Sequence, residues 1–180
     1  MREAVAPADL IELGVVRGAY GIRGWVRIAP HWTDGGVLEA VREWWILGDG
    51  RQEQERQRVT VEGCRRHGAA MLAKWPGCES KEAADALKGA RVAVARTAFP
   101  PLPEGEHYLA DVLGSRVVNR AGETLGEVSG LRANEAAGVR RQWLEVADGS
   151  DSHLIPLLEQ YVDEVDAAGK LVRVDWQRDW

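Results

Sequence analysis

Glycine punctuation constrains this chain more than any other feature. Twenty glycines are spread through 180 residues, and the runs between them are short and rich in β-branched and aromatic side chains. Such runs read as strands, because branched and aromatic side chains suit a pleated surface and glycine supplies the turn conformations that end it. Leu10 to Arg17 and Gly24 to Ile28 read as a first pair, joined by Gly18-Ala19-Tyr20-Gly21-Ile22-Arg23-Gly24. That glycine spacing fits neither the dinucleotide fingerprint nor the phosphate loop, and no helix follows it, so it reads as a connection between strands.

Further along, Val37 to Glu43 reads as a short helical turn before the strand Trp44 to Leu47, which the turn Gly48-Asp49-Gly50 ends. The polar run Gln52 to Arg58 reads as an exposed edge. Val59 to Glu62 and Met71 to Trp75 are expected to pair around Gly68, and Arg91 to Arg96 closes the set. Ser80 to Gly89 breaks the pattern as a helix: Ser80 can cap it, Glu82 suits the positive end of its dipole, and Gly89 suits a left-handed stop. After Pro100, Pro101 and Pro103 the strands resume at Ser115 to Val118, Glu123 to Val128, Arg141 to Ala147, His153 to Leu157, Tyr161 to Asp166 and Lys170 to Trp176. Asp148-Gly149 is a strong turn signal between two of them. The expected fold class is all-β with a short helix, arranged as two small β-barrels, since closure removes the edges of short-stranded sheets. The expected boundaries are 1–98, a proline-rich linker 99–104, and 105–180.

Charge separates the two halves. Residues 1–95 hold 14 Lys/Arg against 13 Asp/Glu, and residues 96–180 hold 9 against 15, for net charges of +1 and −6. An arginine-bearing neutral half can approach phosphate, whereas an acidic half attracts basic proteins. Within the first half, alternation places Val26 and Ile28 on one face and Trp25 and Arg27 on the other. Arg17, Arg23 and Arg27, interleaved with Tyr20 and Trp25, form a candidate RNA patch, with guanidinium groups for phosphates and rings for unstacked bases.

Other chemistries find little support in the residues. Cys64, His67 and Cys78 make one CxxH and a lone cysteine, short of the paired ligands of a zinc site, and two cysteines fit a reducing compartment. The serines sit in turns or caps, the carboxylates cluster as charge runs, and no cofactor motif occurs, so no catalytic residue, metal or cofactor is assigned. No apolar run approaches a membrane span and the N-terminus lacks a signal-peptide core, so a cytoplasmic protein is expected. A small flavin-binding barrel enzyme is the alternative from another class.

The motifs together resemble the RimM family of bacterial ribosome maturation factors. They are Leu13-Gly14 through Gly18-Ala19-Tyr20-Gly21-Ile22-Arg23-Gly24, Thr33-Asp34, the helix from Glu82 to Gly89, Gly105-Glu106-His107-Tyr108 with Asp111-Val112-Leu113-Gly114, Gly122 with Leu125-Gly126-Glu127-Val128, Leu154-Ile155-Pro156, and Tyr161-Val162-Asp163 with Val165-Asp166. The resemblance implies an N-terminal barrel similar to those of translation factors, a C-terminal PRC-type barrel and a non-enzymatic role. It implies binding to the nineteenth small-subunit ribosomal protein and nearby ribosomal RNA during late maturation of the small-subunit head, by a monomer that touches no membrane. The adjacent tyrosines that the family uses at the start of its second barrel fall at His107 and Tyr108. Asp163, Glu164 and Asp166 are the acidic residues expected to steer and hold a basic ribosomal protein.

Overall fold

The computed structural model describes residues 5–31, 36–48, 56–104, 106–137 and 139–180. Thr33-Asp34, the last two residues of the turn at Gly48-Asp49-Gly50, Gln52 to Glu55 and Gly105 lie outside the described residues. The chain divides into two compact units, Met1–Pro101 and Leu102–Trp180. Each is built on one β-sheet, as the all-β expectation requires.

In the first unit the strands are β1 (Leu10–Tyr20), β2 (Trp25–Pro30), β3 (Glu43–Leu47), β4 (Arg56–Thr60), β5 (Gly63–His67), β6 (Ala70–Lys74) and β7 (Arg91–Ala95), ordered β4-β3-β7-β1-β2-β6-β5. Every neighbouring pair is antiparallel. Alternation works as read: Val26 and Ile28 are fully buried while Arg27 between them is exposed. Leu13, Val16, Trp44, Met71, Val92 and Val94 are buried with them. α1 (Val37–Ala40) buries Val37 and Leu38. α2 (Lys81–Ala86) starts where Ser80 Oγ accepts the Ala83 N–H at 3.1 Å, and the chain leaves it through Gly89 at φ 89°.

Two local expectations change. β1 runs to Tyr20, because its register with β2 steps from Val16–Ile28 to Gly18–Arg27 and leaves Arg17 as the bulged residue. Gly18, at φ 126°, permits the step, so Gly18 to Tyr20 are strand and only Gly21 to Gly24 turn the chain. The second change concerns Gly68, which joins β5 to β6, whereas Val59 belongs to β4 and pairs with β3. β5 reads Gly-Cys-Arg-Arg-His, and a polar strand at a sheet edge shows no apolar alternation to find it by.

In the second unit a 3-10 turn (Leu109–Val112) precedes β8 (Arg116–Asn119), β9 (Thr124–Ala136), β10 (Val139–Asp148), β11 (Asp151–Pro156), β12 (Val162–Asp166) and β13 (Leu171–Val174). Their order is β11-β10-β9-β8-β13-β12, with β8 and β13 parallel and the other neighbours antiparallel. Val117, Leu125, Val128, Leu144, Val146, Ile155, Val172 and Val174 are buried. The Asp148-Gly149 turn joins β10 to β11 as expected, with Gly149 at φ 61°. β9 and β10 form a longer hairpin than their apolar cores suggest, since backbone pairing continues through Arg132 to Ala136 against Val139 to Trp143. Main-chain hydrogen bonds extend a hairpin whether or not its side chains are apolar.

Candidate functional site

Two of the residues proposed for RNA, Tyr20 and Arg27, meet beside Trp25 on one face of the first sheet. Directly opposed residues share a face, so Tyr20 lies with Trp25, and Arg27 lies in one row with Leu72 of β6 and Arg65 of β5. The Arg27 guanidinium stacks 5.6 Å from the centroid of the Tyr20 ring, and that ring meets His67 edge-on at 5.0 Å. The Arg65 guanidinium lies 5.2 Å from the centroid of Trp25. The Trp25 ring in turn covers Gly63, where an added Cβ would come within 3.0 Å of it. β1 and β5 are separated by β2 and β6, so the meeting of Tyr20 with His67 is a product of sheet coiling.

Tyr20, Trp25 and Arg27 are thus brought together, and Arg65 and His67 join them without having been singled out for this face. Arg65-Arg66-His67 is a basic signal in the sequence, but nothing there shows that it folds beside Tyr20. Arg17, at the bulge, and Arg23, in the turn, are both exposed, and neither stacks on these rings among the described contacts. Among the described residues, neither Arg27 nor Arg65 forms an ion pair with a carboxylate, whereas Arg58, Arg66 and Arg91 pair with Glu43, Glu39 and Glu12.

The turn beside this face is held from α2 and the segment before it. The Ala19 N–H donates to Asp85 Oδ1 at 2.8 Å, and Asp85 Oδ2 accepts from Lys81 Nζ at 2.8 Å. Lys81, and after it the Ala19 N–H, hold the Asp85 carboxyl below its ordinary range. Gly24, at φ 79°, passes so close to the Cys78 carbonyl that no Cβ fits between them. That carbonyl also accepts from Lys74 Nζ at 2.6 Å, and Lys74 pairs with Glu79 at 3.0 Å.

In the second unit His107 is exposed, whereas Tyr108 retains 6% of its surface. They lead into the 3-10 turn, and Lys170 Nζ donates to the carbonyls of Asp111 and Leu113 at 2.6 and 3.1 Å. Lys170 follows β12 in the turn to β13, so one lysine ties this stretch to the hairpin that carries the acidic residues. Those residues are already engaged. Asp163 accepts a forked pair of bonds from Arg120 at 2.7 and 2.9 Å, and Arg120 also reaches Asp175 at 2.8 Å. Arg120 holds the Asp163 carboxyl below its ordinary range. Glu164 pairs with Arg173 at 3.1 Å, and Asp166 accepts the Gly169 N–H at 2.7 Å inside the turn.

Cys78 is buried, which pushes its thiol up; Cys64 is half-buried, and neither forms a disulfide. Among the described residues no helix is long and apolar enough to cross a membrane.

Two small sheet units that carry rings and charges on strand faces place the chain among two-domain all-β proteins. A family model described as the RimM N-terminal domain matches residues 11–99. The ribosome maturation factor RimM of Cupriavidus metallidurans is 37% identical over 183 residues, covering 97% of this chain and 83% of that protein. The protein of the same name from Aromatoleum aromaticum is 38% identical over 172 residues, covering 95% and 100%. A crystal structure of a 16S ribosomal RNA processing protein RimM from Pseudomonas aeruginosa is 27% identical and covers 96% of this chain and 100% of that one, with a TM-score of 0.44. On the sequence matches, the chain belongs to the RimM family of ribosome maturation factors.

Proposed function

We propose that this protein is a non-enzymatic assembly factor for the small ribosomal subunit, acting in the cytoplasm as a monomer without a cofactor. The observation that carries the reading is the match along nearly the whole chain to proteins named ribosome maturation factor. In this reading the second domain, a PRC-type barrel, binds the nineteenth ribosomal protein of the small-subunit head through His107, Tyr108, Asp163, Glu164 and Asp166. The first domain binds nearby ribosomal RNA through Arg17, Tyr20, Arg23 and Arg27. Support for the RNA side comes from the Arg27 and Arg65 guanidinium groups, which are held over rings and, among the described residues, pair with no carboxylate. Support for the protein side comes from the −6 charge of residues 96–180, since opposite charge speeds encounter with a basic partner.

Depletion in the native organism followed by gradient sedimentation tests the reading. Immature small subunits accumulate, and the protein restored from a plasmid travels with them and not with mature subunits. Normal small-subunit maturation without the protein overturns it.

A further inference from the structure

We infer that the face formed by Tyr20, Trp25, Arg27, Arg65 and His67 is a stacking platform for single-stranded RNA, an inference that rests on the assembly-factor reading and specifies the RNA it takes. Three features of the face carry it. Tyr20 and Trp25 are half-buried, held in the sheet with part of their surface open, and the Trp25 ring lies over Gly63, where an added Cβ would come within 3.0 Å of it. A guanidinium group lies over each ring within cation–π distance, 5.6 and 5.2 Å from its centroid. An arginine held over a ring by cation–π attraction spends none of its N–H donors there, and those donors are what fork onto a phosphate.

The third feature is charge. The carboxylates Asp85 and Glu79, placed by the turn beside this face, are held by Lys81 and Lys74, while Arg27 and Arg65 are left without an acidic partner among the described residues. A polyanion is therefore the complementary occupant. Alternation of flat groups and cations on one curved sheet suits a strand whose bases are unstacked, since each base finds a ring or guanidinium plane and each phosphate a fork. A duplex offers its phosphates but keeps its bases stacked inside, so it gains only the ionic part. Arg17 and Arg23 are exposed at the bulge and the turn that flank Tyr20 along the chain.

The test uses the full-length protein and two fluorescein-labelled probes, a 12-nucleotide oligouridylate and a 12-base-pair RNA duplex, read by anisotropy over a range of salt. The single strand binds more tightly than the duplex. Trp25→Leu weakens it roughly tenfold, the loss of one base–ring contact. Arg65→Gln weakens it as well and makes the dependence of log affinity on log salt shallower by about 0.7, the loss of one phosphate contact to a single strand. Arg65 is exposed, so its variant decides the matter even if Trp25→Leu does not fold. Equal affinity for strand and duplex, or a folded Arg65→Gln protein that binds as the unmodified one does, overturns the platform. Complementation of depleted cells with the unmodified protein separates this inference from its parent. Restored maturation without oligonucleotide binding removes the platform and keeps the assembly role, whereas failure to restore maturation removes the assembly role.

Discussion

Gly24→Ala tests how the first unit holds the turn beside its ring-bearing face. Gly24 has φ 79°, a conformation that costs a residue with a Cβ about 1–2 kcal/mol. A Cβ there would also collide with the Cys78 carbonyl and come within 2.9 Å of Glu79 Cα, both of them backbone. Neither neighbour is the free end of a side chain, so the strain relaxes only by moving the segment that Lys74 fastens. Overpacking of that kind costs about 1–3 kcal/mol. The two terms together come to about 2–5 kcal/mol, and at about 4–8 °C per kcal/mol for a domain near 100 residues the melting temperature falls by at least about 8 °C. Gly21→Ala is the matched control. Gly21 has φ 69° but nothing within 4 Å of the added Cβ, so it keeps the conformational term and drops the collision. Scanning calorimetry of the full chain measures both variants, and amide hydrogen exchange at Val16 and Val26 assigns the loss to the first unit. Equal losses for Gly21→Ala and Gly24→Ala would refute the close approach as the cause.

The Glu12 carboxyl is held below its ordinary value of 4.5, first by its bond with His31 at 2.7 Å and also by Arg91. A folded value below the unfolded one stabilises above about pH 4.5 and is lost as pH falls through the folded value, so Glu12→Gln lowers the melting temperature at pH 7 by an amount that shrinks below pH 4.5. With one-third of each side chain exposed the effect is about 0.5 kcal/mol, and a melting-temperature difference that grows on acidification contradicts it. Tyr108→Ala removes a ring that is nearly all buried and costs about 3–5 kcal/mol. Loss of partner binding at an unchanged melting temperature would instead make Tyr108 a surface contact. Arg120→Gln frees Asp163 and Asp175, so it raises the low-salt association rate with the nineteenth ribosomal protein several-fold, and an unchanged rate in stopped flow removes Asp163 from steering.

Much of the fold is legible because its causes are local. Val26 and Ile28 against Arg27 declare a half-buried strand, Ser80 three residues before Ala83 caps α2, and Asp148-Gly149 turns a hairpin. Each signal spans fewer than ten residues, the range over which side-chain period and turn conformation act. The bulge at Arg17 and the edge strand β5 escape that reading for different reasons. The bulge is a register shift that preserves the look of a strand followed by glycine, and β5 draws its place from pairing with β6 rather than from any alternation of its own.

The candidate sites show the same division. From the sequence alone come the all-β class, the proline break between two halves of unequal charge, the family, and the choice of Tyr20, Arg27, Tyr108 and Asp163 as residues to follow. Whether those side chains are available is a tertiary matter. Coiling of the first sheet brings His67 and Arg65 to the rings of Tyr20 and Trp25, and folding of the second carries Arg120 onto Asp163, 43 residues away. It also leaves His107 exposed while Tyr108 is buried. Local sequence sets conformation one element at a time, whereas burial and ion pairing depend on which elements meet, and that is settled only when the sheets close on their cores.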